Sequence, residues 1–146
     1  MTGEQGFVWR IRVYFEDTDS AGVVYHANHL KFMERARTEW LRMLGVGQGE
    51  LSDTEGVQFV VREARLRLRQ PARYDDELEI ISRMVLLRPM RMRFTQQVRC
   101  REVLLVEGDV DVVCVDKMTF KPVGIPDKIS TILRQQLPGD LLKDWQ

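Results

Sequence analysis

Residues 16–29 read EDTDSAGVVYHANH and crowd carboxylates, hydroxyls, a glycine, a carboxamide and both histidines of the chain into one short segment. Three kinds of chemistry use such groups. In a calcium loop, Asp17, Asp19 and Gly22 would take the first, third and sixth positions. Ala21 at the fifth then offers no side-chain oxygen, and Asn28 stands at the twelfth, where a bidentate Glu is needed. The preceding residues alternate like a strand, whereas that motif needs a helix, so calcium is excluded. A transition-metal site would use Asp17, Asp19, His26 and His29, but no further ligand identifies itself elsewhere in the chain. Exposed or helix-capping histidines are the better account, and no metal is expected.

The remaining chemistry is acid–base or nucleophilic catalysis at a helix start. Unpaired N–H groups in a first helical turn carry partial positive charge; they polarise a carbonyl oxygen and stabilise the oxyanion formed on attack. A carboxylate just upstream, Asp19, can attack that carbonyl or activate a water for the attack. Gly22 lets the backbone approach a ligand closely. Spacing permits this without requiring it, because acidic residues before helices also serve as caps and turn formers.

The elements around the segment follow from periodicity. FVWRIRVYF (Phe7 to Phe15) alternates and is rich in aromatic and β-branched residues, which predicts a strand leading into it. HLKFMERARTEWLRMLG predicts a long helix leading out, with Asn28 as N-cap and Gly45 as the stop. At about 100° per residue, Leu30, Phe32, Met33, Ala36, Trp40, Leu41, Met43 and Leu44 cover roughly half its circumference, so other structure should embrace it. After a loop or short helical turn over 46–55, VVREARLRLRQ alternates Ala64, Leu66 and Leu68 with Arg65, Arg67 and Arg69. LEIISRMVLL breaks at Arg88-Pro89, and MRMRFTQQVRC places Met92, Phe94, Gln96 and Val98 on one face. VLLVEGDVDVVCVD returns after a tight turn at Arg101-Glu102, and PDKISTILRQQL predicts a closing helix. One large apolar helix with an antiparallel sheet implies an α+β architecture, expected as a single domain over 1–146.

VYFEDTDSAGVVYHANHLKFMERARTEWL resembles the signature region of the hotdog-fold acyl-CoA thioesterases, in particular the YbgC (Tol-Pal-associated) group related to 4-hydroxybenzoyl-CoA thioesterase. The similarity continues through FVVREARLRLRQPARYDDELEI and VCVD, so it covers most of the chain. The resemblance implies a long central helix wrapped by a five- to six-stranded antiparallel sheet. It implies hydrolysis of acyl-CoA thioesters to free carboxylic acid and CoA, with no metal and no cofactor. Asp19, the second Asp of DTD, falls on the family's catalytic carboxylate, acting as nucleophile or general base. The His26 backbone amide falls on the group that polarises the thioester carbonyl, and the His26 side chain on one that positions substrate or water. Tyr25 and Asn28 match the same motif, with Asn28 also supporting the turn, and Asp17 is assigned to structure. His29 departs from the pattern, since many relatives carry Tyr there, so pocket-wall contacts differ at that position. A homo-oligomer is implied as well, commonly a homotetramer arranged as a dimer of dimers, with active sites at the dimer interface. VQFVVRE (Val57 to Glu63), Val60 within it, is the candidate apolar wall from the partner chain. The acyl carrier is CoA or an acyl carrier protein.

Other residues weigh less. Arg62, Arg65, Arg67 and Arg69 read mostly as the solvated face of a strand, while Arg88 and Arg91, near a turn, are the candidates for contacting CoA phosphates. Arg37 lies inside the apolar arc of the helix with Glu34 before it, and a structural role is expected for the pair. Lys plus Arg (22) equals Asp plus Glu (22), so no net field points to nucleic acid or an anionic membrane. The 44% apolar and 30% charged fractions are those of a soluble globular protein. No apolar run approaches the roughly 20 residues that span a bilayer. The N-terminus lacks a signal-peptide core, and Cys100 and Cys114 read as reduced, buried thiols, so the cytoplasm is the expected location. No serine elbow, Gly-rich phosphate loop or CxxC occurs. The rival reading is a non-catalytic acyl-CoA or acyl-carrier-protein binding module on the same fold, which would not need Asp19. A hotdog dehydratase would act on the β-hydroxyacyl chain and places its His and Asp differently from this motif.

Overall fold

The computed structural model describes residues 2–3 and 6–137. Its strands are β1 (Thr2–Gly3), β2 (Gly6–Arg12), β3 (Val57–Leu68), β4 (Glu77–Leu87), β5 (Arg91–Cys100) and β6 (Val103–Asp116). They form one sheet in the order β1-β2-β4-β5-β6-β3, an antiparallel sheet of five long strands with the two-residue β1 at one end. The helices are α1 (Asn28–Met43), α2 (Gln48–Glu55) and α3 (Asp127–Arg134), and no helix among the described residues is long and apolar enough to cross a membrane. The architecture is α+β, as the periodicity implied.

Local chemistry sets the boundaries. The strand predicted to run to Phe15 stops at Arg12, because the Tyr14 N–H donates to the Asp17 carboxylate at 2.8 Å and draws Phe15–Asp17 into a single 3₁₀ turn. α1 stops where Gly45 takes φ +86°: its N–H donates to the Arg42 carbonyl at 3.0 Å, and the Val46 N–H reaches back to Leu41 at 2.8 Å. This paired closure needs a residue in the left-handed region, and Gly adopts it without steric cost. The β5–β6 hairpin turns at Arg101 and Glu102, both with positive φ, the twist that suits a two-residue connection.

Contacts divide the chain into two compact units. The first comprises Met1–Trp40, Arg65–Arg83 and Thr95–Gly108. Its core contains Val13, Val24, Phe32, Met33, Leu78 and Val106, each close to fully buried, and each such large side chain contributes about 1.5–3 kcal/mol by leaving water. Phe32, Met33 and Ala36 bring α1 into that core. The buried arc of the helix departs from the predicted one where Leu30 is exposed and His29 is buried, while Arg37 is buried inside the arc, as its position implied. Apolar periodicity counts side-chain types and is blind to polar groups that the sheet covers. Cys100 is half-buried against this core, not fully buried as expected.

The second unit comprises Leu41–Ala64, Met84–Phe94 and Asp109–Gln146. Leu51 of α2, Met92 and Phe94 of β5, Cys114 of β6 and Ile129 and Leu133 of α3 are buried within it. Met43, placed by periodicity on the apolar arc of α1, is exposed here. β3 also departs from its pattern. Ala64 and Leu68 are exposed despite the clean alternation, because β3 is the last strand of the sheet and has only β6 beside it among the described residues.

Candidate active site

The polar segment is organised by Asp17. Its carboxylate holds the Tyr14 N–H, and its carbonyl accepts the Tyr25 N–H at 3.0 Å and the Asn28 Nδ2 at 2.9 Å. One residue therefore ties the strand exit, the loop and the start of α1 together. Asn28 is the first residue of α1, and its amide is committed to the Asp17 carbonyl; the structure gives it the turn-supporting contact instead of the helix cap that spacing predicted.

Thr18 and Val24 pair as an antiparallel bridge, with Val23 bridging Arg73, so the residues between them form a tight turn. Asp19 sets that turn. Its N–H donates to the Val23 carbonyl, its carbonyl accepts from the Gly22 N–H, and its Oδ1 accepts from the Ala21 N–H, each at 2.9 Å. Gly22 closes the turn at φ +80°. The Asp19 side chain is exposed, and its Oδ2 has no hydrogen-bond donor among the described residues. The carboxylate is thus aimed by one oxygen and has the other free.

Tyr25 and His26 follow, both exposed, with ring centroids 4.6 Å apart. The first turn of α1 closes through the Asn28, His29 and Leu30 N–H groups, which donate to Tyr25, His26 and Ala27. The His26 and Ala27 N–H groups have no acceptor among the described residues. They lie at the positive end of a 16-residue helix, where an oxygen developing negative charge is stabilised.

His29 is not the exposed or capping histidine that the sequence suggested. It is 3% exposed, and its ring stands edge-to-face to Phe32 at 5.8 Å. Its Nδ1 is a buried atom without a hydrogen-bond partner. Burial, reinforced by the neighbouring His26, pulls its pKa down to about 4, so the ring is neutral at neutral pH. Arg37, also buried, meets a different environment. Its Nη1 donates to Gln96 Oε1 at 2.9 Å, and Gln96 Nε2 donates in turn to the Met33 carbonyl at 3.0 Å and Ser82 Oγ at 2.8 Å. Burial lowers the Arg37 pKa to about 10, with Glu34 opposing the shift.

The other candidates belong to the second unit. Val60 is half-buried on β3, and Arg88 Nη1 donates to the Leu87 carbonyl at 3.1 Å. Arg91 lies 3.5 Å from Asp111, as one of three guanidiniums around that acid: Arg93 Nε approaches to 2.6 Å and Arg62 Nη2 to 3.3 Å. The Asp111 side chain is 4% exposed, and the Arg93 hydrogen bond, with the charges of all three arginines, holds its pKa below the ordinary value despite burial. Sequence reading missed this cluster. The local signal is an acid within an apolar strand pattern, DVDVVCVD without its cations, which β3 and β5 supply from elsewhere along the chain.

A family model described as the thioesterase-like superfamily matches residues 13–133. The acyl-CoA thioester hydrolase YbgC of Escherichia coli O157:H7 is 45% identical over 130 residues, which are 88% of this chain and 96% of that protein. The acyl-CoA thioesterase YbgC of Haemophilus influenzae is 37% identical, over 86% of this chain and 93% of its own. Among solved structures, a probable thioesterase from Bartonella henselae superposes with a TM-score of 0.78 at 36% identity, covering 82% of this chain and 98% of that one. The match reaches from the end of β2 to α3 and includes the whole Asp17–Asn28 loop, so the chain belongs to the hotdog-fold thioesterase-like superfamily.

Proposed function

We propose that the chain hydrolyses acyl-CoA thioesters to free carboxylic acid and CoA, with Asp19 as the catalytic carboxylate and the His26 backbone N–H as the donor to the thioester oxygen. The observation that carries the reading is local. One loop, anchored by Asp17, holds both a carboxylate with an unbonded oxygen and unbonded N–H groups at a helix start. Relatives named as acyl-CoA thioester hydrolases, covered over nearly their whole length, support the substrate class.

Two routes fit these groups. Asp19 Oδ2 can add to the thioester carbon, expelling CoA thiolate and leaving an anhydride that water then opens. Alternatively Asp19 takes a proton from water as its oxygen adds to the carbon, and that proton passes to the departing sulfur. In both, the C–S bond breaks, and the carbonyl oxygen carries the transient charge towards the His26 N–H and the α1 dipole. The His26 side chain positions substrate or water, and Tyr25 and Asn28 border the acyl site. Val60 from a partner copy contributes apolar wall, and Arg88 and Arg91 meet the CoA phosphates, Arg91 by sharing its charge between Asp111 and the ligand. A homo-oligomer, a dimer of dimers, completes the site; β3, which ends the sheet with only β6 beside it among the described residues, supports such assembly. The protein acts in the cytoplasm, on CoA esters or on acyl groups held by a carrier protein.

The test is release of free thiol from a panel of acyl-CoAs, comparing the wild type with Asp19→Asn. Hydrolysis by the wild type that falls by about two orders of magnitude or more in the variant is expected. Binding without turnover in the wild type would instead favour a non-catalytic module.

A further inference from the structure

His29 is a buried side chain that the proposed mechanism does not use. At 3% exposure, its Nδ1 is sealed from water without a hydrogen-bond partner, and its Nε2 has none among the described residues either. A buried polar group in this state is costly unless a partner arrives. The neutral ring carries one N–H. Placing it on the sealed Nδ1 would strand a donor, so the Nε2–H tautomer is the better one, with its donor directed away from the seal.

Position gives this donor meaning. His29 lies in the first turn of α1, three residues after His26, and its N–H donates to the His26 carbonyl at 3.2 Å. Helical side chains also lean towards the N-terminus and cover the preceding turn. For His29 that turn carries the unbonded His26 and Ala27 N–H groups. A thioester carbonyl docked on those groups would present its first acyl carbons to the His29 ring. Phe32, edge-to-face with the ring at 5.8 Å, fixes the imidazole from the apolar side.

We propose that His29 is a specificity-determining residue, whose Nε2–H hydrogen-bonds an oxygen on the second or third carbon of the acyl chain, so that hydroxy- or oxo-acyl-CoAs are favoured over their unsubstituted counterparts. The inference rests on the thioesterase reading above and adds to it the class of acyl group. Neutrality of the ring, which burial enforces, suits an uncharged oxygen and gives no added attraction for a free carboxylate. An apolar residue there would pack equally well but leave a substrate hydroxyl unpaired, and sites built around one hydrogen bond reject the partner that lacks it.

The experiment compares kcat/KM for matched pairs of straight-chain and 3-hydroxy acyl-CoAs in the wild type, His29→Phe and His29→Gln. The wild type should favour the hydroxylated member by about tenfold, the range of one neutral hydrogen bond. His29→Phe should bring the ratio to about one, with the hydroxylated ester losing about tenfold more than the unsubstituted one. His29→Gln, whose Nε2 keeps a donor at similar reach, should restore part of the preference. Thermal unfolding accompanies the kinetics, and the Phe variant should melt no lower than wild type, because it removes unpartnered nitrogens. Hydrolysis without discrimination, or discrimination that survives His29→Phe, overturns the inference and leaves the thioesterase reading intact. Loss of preference in the Phe variant together with a shifted elution volume in size-exclusion chromatography would also overturn it, by assigning the nitrogen to a second copy. Failure of the wild type to hydrolyse either ester overturns the thioesterase reading itself, and the inference with it.

Discussion

Asp19 and Asp111 are carboxylates that the chain treats in opposite ways. Asp111 is 4% exposed on β6, with arginines from β3 and β5 at 2.6, 3.3 and 3.5 Å, and its charge is consumed in joining three strands. Asp19 is exposed on a tight turn, restrained by one backbone N–H on Oδ1, and its Oδ2 has no donor among the described residues. The first arrangement lowers the energy of the folded chain, and the second leaves a carboxylate oxygen free to react. Asp17 is intermediate: its carboxylate is also used in the fold, but what it builds is the loop that aims Asp19. Asp19 Oδ2 is left without a donor among the described residues, while Asp17 supplies the bonds that hold the loop.

The comparison can be broken at several points. The largest effect is expected at Asp19. Asp19→Asn keeps the turn, since the amide oxygen still accepts from the Ala21 N–H, but should lower thioester turnover by about 10²–10⁴-fold with stability within about 0.5 kcal/mol. Steady-state thiol release and a thermal melt check both halves. Next is Gln96→Leu, which strands the Arg37 guanidinium and Ser82 Oγ in a buried region and removes the bond to the Met33 carbonyl. A loss of about 3 kcal/mol is expected in urea unfolding.

Acid should find the other buried polar group of α1. The His29 pKa falls to about 4 in the folded chain from an ordinary 6.5, so the unfolded chain takes up a proton that the native chain refuses. Stability is fully present above pH 6.5 and declines as pH falls towards 4, by at most about 3 kcal/mol. His29→Phe should flatten that slope in equilibrium unfolding measured across this range. Asp111 loses its contribution only under stronger acid, because its folded pKa is depressed and protonation begins below the ordinary carboxylate range. Asp111→Asn is accordingly the smallest change, about 1–2 kcal/mol at neutral pH, since its arginines are 32–58% exposed and water rehydrates them.

Much of this contrast was legible in the sequence, and the rest has a physical reason for hiding. The structural part of Asp17 was legible through the family resemblance of its motif, and its bonds to the Tyr14, Tyr25 and Asn28 amides agree with it. The Gly45 stop of α1 and the Arg101-Glu102 turn were readable because each depends on residues within a few positions of itself. Asp111 was not, because its partners lie up to 49 residues away and alternating arginines look alike whether paired or solvated. β3 carried a clean two-residue period yet leaves Ala64 and Leu68 exposed, since period reports which side chains could share a face and the strand order decides what covers it. The burial of His29 likewise depends on packing around Phe32, which residue type alone does not encode.

The most direct measurement sets Asp19→Asn and Asp111→Asn side by side, recording acyl-CoA hydrolysis and thermal unfolding on the same preparations. A crossed result is expected: Asp19→Asn loses turnover by about 10²-fold or more and melts like the wild type, while Asp111→Asn melts lower and, where folded, retains turnover. Full turnover in Asp19→Asn, alongside a clear loss of stability, would contradict it.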